Sequence, residues 1–174
     1  KQQDLFLNAP RSKLFSTAFE QEVKRLMEGR THLVKGLPQM DGAEHKMYRQ
    51  LTQAWFQPKQ VKLLEERISA LARRTVDDLL ARGPEFDFYN DIAAWYPLRV
   101  IMLILGLPVS DEERLLRITQ AYFGGSDPEV QRGSDLIHAA QEYIAYFEGV
   151  SEDRRKNPTD DVASLIANSQ IDGQ

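Results

Sequence analysis

Apolar residues recur at steps of three to five positions along most of this 174-residue chain. The spacing is clearest over Lys59–Arg82, where it predicts a long amphipathic helix that Gly83 and Pro84 end. Alternation typical of a strand occurs only at Glu85–Tyr89. The fold class predicted from this pattern is mostly α, with little β. The other predicted helices lie at Gly42–Trp55, at Asp91–Gly106, from Ser110 to about Gly124, from Asp127 to about Asn157, and from about Asp160 onward.

Two of the predicted helices begin with capping-box sequences. Asp41 precedes Glu44 by three residues, and Ser110 precedes Glu113 by three residues. In this motif the first side chain accepts a backbone hydrogen bond and the second reaches back toward the cap. The Asp91–Gly106 helix is apolar nearly all round, which predicts burial. Pro97 should either kink that helix or lie in its first turn.

Composition excludes several classes of partner and compartment. The 22 Lys and Arg residues against 26 Asp and Glu residues leave a net charge of -4, which favours neither nucleic acid nor an anionic membrane surface. The most apolar stretch, Trp95–Leu107, is interrupted by Pro97 and Arg99 and is too short to span a bilayer. No secretory pattern follows Lys1. We therefore expect a cytoplasmic protein that binds no nucleic acid and no membrane.

The residues that carry most enzyme chemistry form no catalytic pattern. The chain has no Cys, which excludes disulfides, thiolate ligands and a Cys nucleophile within it. Carboxylates cluster at helix starts, where they complement the helix dipole. The three His residues, His32, His45 and His138, have no metal-ligand spacing among themselves, and no Gly-x-Ser-x-Gly motif is present. We expect neither catalytic residues nor metal ligands in this chain.

One pair of basic residues suits an anionic ligand. His45 and Arg49 are four residues apart, so they share one face of the predicted helix that begins at Gly42. Two adjacent donors, one always cationic, match a carboxylate or a similar oxygen anion. The alternative is that Arg49 pairs with a nearby Glu and that His45 is an ordinary surface residue.

Four segments, in order, resemble the bacterial cytochrome P-450 family of haem-thiolate monooxygenases. Met40–Pro58 is similar to the C-helix segment, whose usual form is Asp-Pro-Pro-Glu-His, an Arg four residues later, and Phe-x-Pro. Asp87–Pro108 ends in Leu-Gly-Leu-Pro, which resembles the end of the E helix. Asp111–Phe123 resembles the F helix, and Arg154–Asp161 resembles the Arg-Arg-x-x-Pro-x-Asp-Asp junction between the G and H helices. This chain departs from the family where Gly-Ala replaces the common Pro-Pro.

The resemblance implies a role for each candidate site residue. His45 and Arg49 would bind the propionates of a haem (heme) cofactor. A substrate pocket for a hydrophobic small molecule would be lined by Leu33, Val34 and Leu37 from the B–C loop and by Phe123 from the F–G lid; simple core packing is the alternative for all four.

The resemblance also predicts an electron-transfer partner and leaves the substrate open. Lys46, Lys59 and Lys62 would face an acidic partner such as a ferredoxin, or would be merely solvated near Glu65 and Glu66. Terpenes, steroids, fatty acids and aromatic acids would all suit the pocket.

The same resemblance implies that residues 1–174 are one partial domain, running roughly from the B–C loop through the H helix. The N-terminal sheet, the I helix and the loop with the axial Cys would lie outside it. The parent enzyme would insert one oxygen atom of O2 into a hydrophobic substrate, whereas the segment alone lacks the thiolate and should be inactive.

Two other functional classes account for the helices but not for the four ordered motifs. One is an all-helical small-molecule-binding regulatory domain without catalysis, although no basic helix-turn-helix is evident. The other is a helical interaction scaffold that needs no cofactor.

Overall fold

A computed structural model describes residues 7–8, 17–26, 29, 32, 34–123 and 133–170. Over these residues the fold is helical and contains no strand, which confirms the predicted class. The seven α-helices of this described part are α1 (Thr17–Leu26), α2 (Gly42–Gln53), α3 (Pro58–Arg82), α4 (Tyr96–Leu105), α5 (Glu112–Phe123), α6 (Gly133–Lys156) and α7 (Val162–Ala167).

The longest helix matches its sequence prediction to within one residue. Helix α3 begins at Pro58, whose missing N–H is tolerated in a first turn, and ends at Arg82. Gly83 follows with φ 110°, a conformation that L-residues with side chains rarely adopt. Helix α6 likewise ends at Lys156, directly before the predicted Asn157-Pro158 stop. The predicted start of α6 at Asp127 and the Gly124-Gly125 turn lie outside the described residues.

The region predicted as one helix from Asp91 to Gly106 is divided. A π-helical turn spans Tyr89–Ala93, and α4 begins at Tyr96 with Pro97 in its first turn, one of the two outcomes predicted for this proline. The prediction that this helix is buried on all sides is wrong for the described residues. Met102 is buried, but Ile101 is 53% exposed.

Two local predictions are wrong because side chains take other partners. Glu85–Tyr89 forms no strand. The carboxylate of Asp87 accepts hydrogen bonds from the backbone N–H and the side-chain amide of Asn90, each 2.9 Å long, and these bonds begin a helical turn. The capping box at Ser110 is replaced by a 3-10 turn over Val109–Asp111. The Ser110 hydroxyl donates to the carboxylate of Asp111 at 3.2 Å.

The chain divides into two compact units. The first unit comprises residues 1–51, 118–149 and 171–174. In its described part, Val23 and Ala140 form a buried cluster, against which Val34, Tyr122 and Ile137 pack. Aromatic rings extend this core, since Tyr122 stacks on Tyr143 with ring centroids 5.7 Å apart.

The second unit comprises residues 52–117 and 150–170, and α4 contacts both α3 and α7 within it. The Arg154 guanidinium hydrogen-bonds to two other parts of this unit. Nη2 donates to the Gly106 carbonyl at 2.6 Å, and Nε donates to Asp161 Oδ2 at 3.1 Å. Asp161 also caps α7 by accepting from the Ser164 backbone N–H at 2.6 Å. Arg154 therefore joins the end of α4, the last turns of α6 and the start of α7.

No helix in the described ranges has the length and apolar character needed to cross a membrane.

Candidate cofactor-binding site

Hydrogen bonds hold both the residue before α2 and the first turn of that helix. The carboxylate of Asp41 accepts from the backbone N–H of Asn8 at 2.6 Å and from its side-chain amide at 3.3 Å. The ammonium of Lys35 donates to Glu44 Oε1 at 2.6 Å. Glu44 is therefore engaged by the preceding loop, where the capping box predicted that it would reach back toward the cap.

His45 and Arg49 both lie on α2, one helical turn apart, as their spacing predicts. The backbone N–H of His45 donates to the Asp41 carbonyl at 3.3 Å, so His45 stands in the first turn. The His45 side chain is half-buried and that of Arg49 is exposed. Neither side chain has a hydrogen-bond or ion-pair partner among the residues that the structure describes. The alternative in which Arg49 pairs with a Glu is thus not observed there.

The donor set of this pair fits an acidic ligand. Arg49 offers a planar fork of N–H groups, and His45 offers ring N–H donors, and no carboxylate of the described residues binds either side chain. These groups suit the two carboxylates of a porphyrin, whereas the axial thiolate of a haem cannot come from a chain without Cys. The described residues also contain no group of His, Asp and Glu side chains suited to a metal ion.

The predicted pocket residues have different environments. Val34 is half-buried and packs on the cluster formed by Val23 and Ala140. Leu37 is half-buried at the start of a 3-10 turn, Leu37–Gln39. Phe123 is 55% exposed at the end of α5. Leu33 lies outside the described residues.

Sequence reasoning missed an aromatic group beside Val34. Burial raises the pKa of Tyr122, the nearby Tyr143 adds to the rise, and a hydrogen bond from the Val34 backbone opposes it. Burial likewise raises the pKa of Tyr143. The ring of Phe147 lies 4.7 Å from that of Tyr143, and this four-residue spacing on one helix was the signal available in the sequence.

Two cavities lie in the second unit, and neither is lined by His45 or Arg49. Their volumes are about 510 and 560 Å3. Both include Arg99, whose Nε donates to Glu112 Oε1 at 2.5 Å. The first also contains the pair formed by Arg82 and Asp91, 2.5 Å apart. These pairs account for only part of the charge around the cavities, because Asp78 and Glu113 also line the first, and Arg67 and Arg74 line the second.

The three lysines predicted to meet an electron-transfer partner are exposed. Lys46 lies on α2, and Lys59 and Lys62 lie in the first turns of α3. Within the described ranges none of the three forms an ion pair, and neither Glu65 nor Glu66 neutralises them. Exposure of this kind is expected of partner contacts and of solvated side chains alike.

Comparisons with known proteins identify the family. Cytochrome P450-terp of Pseudomonas sp is 39% identical, over 99% of this chain and 43% of its own length. Linalool 8-monooxygenase of Pseudomonas putida is 29% identical, over 92% of this chain and 42% of its own length. The crystal structure of CYP108D1 from Novosphingobium aromaticivorans matches all of this chain with a TM-score of 0.85 and 42% identity, and this chain covers 41% of it.

The chain thus spans about two fifths of the length of these relatives. No family model matches it. The identity, the fold similarity over the whole chain and the order of the four sequence motifs nevertheless agree with one another. This chain belongs to the bacterial cytochrome P-450 family.

Proposed function

We propose that this chain is the part of a haem-thiolate monooxygenase that anchors the haem propionates and contributes to the substrate lid. The parent enzyme inserts one oxygen atom of O2 into a hydrophobic organic substrate. The alternative of a regulatory domain without catalysis is not supported, because the relatives include enzymes named as monooxygenases.

The observation that carries the proposal is the unpartnered pair on α2. In a family that binds haem, two donors one turn apart with no partner in the described residues are available to two propionates. Arg49 would bind one carboxylate through its N–H groups, and His45 would donate to the other through a ring N–H. When bound, the haem supplies the O2 chemistry, and the axial Cys comes from outside these 174 residues.

We further assign the substrate side of the site to Leu33, Val34, Leu37 and Phe123. Val34 packs on Val23 and Ala140, as the core-packing alternative predicts, so the support for this assignment comes from Phe123. Phe123 is exposed at the end of α5 and is free to contact an apolar molecule. Linalool, named as the substrate of the Pseudomonas putida relative, is the first molecule to test.

We propose that an acidic electron-transfer protein such as a ferredoxin binds this enzyme, with Lys46, Lys59 and Lys62 as its contacts. The support is their exposure without an ion pair in the described part of the chain. Charges of this kind steer a partner of opposite sign, and their contribution weakens as ionic strength rises.

The anchoring proposal is tested by replacing both donors in the full-length protein, His45→Ala with Arg49→Ala. Each hydrogen bond to a charged group is worth about 1.5–3 kcal/mol, so the rate of haem transfer to apomyoglobin should rise at least about tenfold. Gln50→Ala is the matched control, because Gln50 is exposed on the same helix. An unchanged rate in the double variant would refute propionate anchoring by this pair.

A further inference from the structure

We infer that Lys35 is a positioning residue for the His45–Arg49 pair: by neutralising Glu44 it keeps the start of α2 receptive to an anion. The inference rests on the proposed function, in which that anion is a haem propionate. It assigns a role to a loop residue that touches neither donor, and its basis is the distribution of charge around the first turn of α2.

Two acidic residues stand beside the pair. Asp41 directly precedes α2 and Glu44 lies in its first turn, next to His45 along the chain, so both acids place negative charge at the start of this helix. Left free, each carboxylate would repel an anion bound at the start of the helix. An anion site at this position therefore requires that both acids be engaged elsewhere.

Both acids have such partners. Asp41 Oδ2 accepts from the Asn8 backbone N–H at 2.6 Å, and Asp41 Oδ1 accepts from the Asn8 side-chain amide at 3.3 Å. The Lys35 ammonium lies 2.6 Å from Glu44 Oε1. Asn8 occupies lone pairs of Asp41 without changing its charge, whereas Lys35 cancels the charge of Glu44. Removal of Lys35 would therefore leave the charge of Glu44 uncompensated at the start of α2.

The loop that carries Lys35 is itself constrained. The backbone N–H of Gly36 donates to Gln39 Oε1 at 3.0 Å, and the backbone N–H of Gln39 donates back to the Gly36 carbonyl at 3.0 Å. Val34 packs on the core of the first unit. Lys35 thus stands between two fixed neighbours. The side chains of Lys35 and Glu44 are 45% and 41% exposed, so loss of their ion pair should change the rate of haem transfer by only a few-fold.

The test is a double-mutant cycle in the haem-bound full-length protein, with Lys35→Met, Glu44→Gln and the two combined. Lys35→Met should accelerate haem transfer to apomyoglobin by about two- to fivefold, the range of an exposed ion pair. The combined variant should return to within about twofold of the wild-type rate, because the unpaired carboxylate is gone. Lys35→Arg keeps the charge and should behave like the wild type.

The reduction potential of the haem iron gives a readout that a purely structural role would not move. An uncompensated carboxylate near the propionates favours the more positively charged, oxidised iron, so Lys35→Met should lower the potential and the combined variant should restore it. A rate or potential that stays altered in the combined variant would overturn the inference, as would a wild-type value in Lys35→Met.

The donor variant, His45→Ala with Arg49→Ala, is measured in parallel. If it leaves haem transfer unchanged, the proposed function itself fails and this inference falls with it. If it accelerates transfer while the Lys35 and Glu44 substitutions act independently, only the role of Lys35 is rejected.

Discussion

Replacing Gly106 by alanine should strongly destabilise the second unit, because the position has neither the backbone freedom nor the space for a side chain. Gly106 closes α4 with φ 65°. An added Cβ would lie 2.1 Å from Asp161 Oδ2, 2.6 Å from its Cγ and 2.8 Å from its Cβ. All three atoms belong to one short side chain, which must move.

The free energy of unfolding should fall through two effects. The left-handed conformation costs a residue with a Cβ about 1–2 kcal/mol. Displacing Asp161 also breaks its contact with the Arg154 guanidinium, in which the two side chains are only 8% and 14% exposed. Removing one partner of a buried ion pair typically costs about 3–5 kcal/mol. With partial relaxation, we expect a loss of roughly 3–5 kcal/mol for Gly106→Ala.

Urea unfolding followed by far-ultraviolet circular dichroism measures this loss. Gly149→Ala is the matched control, because Gly149 lies within α6 and an added Cβ there meets no atom within 4 Å. Since glycine is a poor helix former, that substitution should stabilise by about 0.5–1 kcal/mol. If Gly106→Ala unfolds at the wild-type urea concentration, the steric argument and the assigned role of Asp161 are both refuted.

Two further predictions follow from shifted pKa values. Burial alone would raise the pKa of Asp161, but hydrogen bonds from Thr159 and Ser164 and the charge of Arg154 outweigh it and hold the pKa below its ordinary value. The stability that this carboxylate contributes is present above its unfolded pKa and is lost as the pH falls through its lower folded pKa. Asp161→Asn should therefore flatten the acid limb of a plot of unfolding free energy against pH. Burial raises the pKa of Tyr143, so the stability that this phenol contributes is complete below its unfolded pKa and is lost as the pH rises through its folded pKa. Tyr143→Phe should therefore reduce the alkaline loss of stability, and an equally steep alkaline limb in that variant would contradict this.

Sequence patterns predicted those elements whose boundaries depend on local chemistry. Helix α3 was predicted accurately because its period, Pro58 at its start and Gly83 at its end all act within a few residues. The prediction of a strand at Glu85–Tyr89 was wrong because alternation does not specify a pairing partner. The Asp87 carboxylate instead accepts a hydrogen bond from the backbone N–H of Asn90. The contact of Arg154 with the Gly106 carbonyl joins residues 48 apart, a separation at which no spacing rule applies.

The candidate site was likewise predictable from the sequence only in part. The spacing of His45 and Arg49 placed both on one face of α2, which the structure bears out. Their lack of a partner in the described residues was not predictable, because it depends on which groups the side chains of Asp41 and Glu44 bind. The bond from Lys35 to Glu44 crosses from a loop to a helix, and no periodic pattern relates these two residues.

The way these acids are engaged is the strongest structural reason to regard the α2 pair as a binding site. Asp41 and Glu44 are the acidic residues nearest to His45 along the chain. Asp41 binds Asn8, and Glu44 binds Lys35. The His45 imidazole is half-buried and has no protein partner in the described part of the chain, and its ring nitrogens are accessible to a ligand. An anion supplied from outside these residues would complete the bonding of both donors, and a propionate has the required charge and geometry.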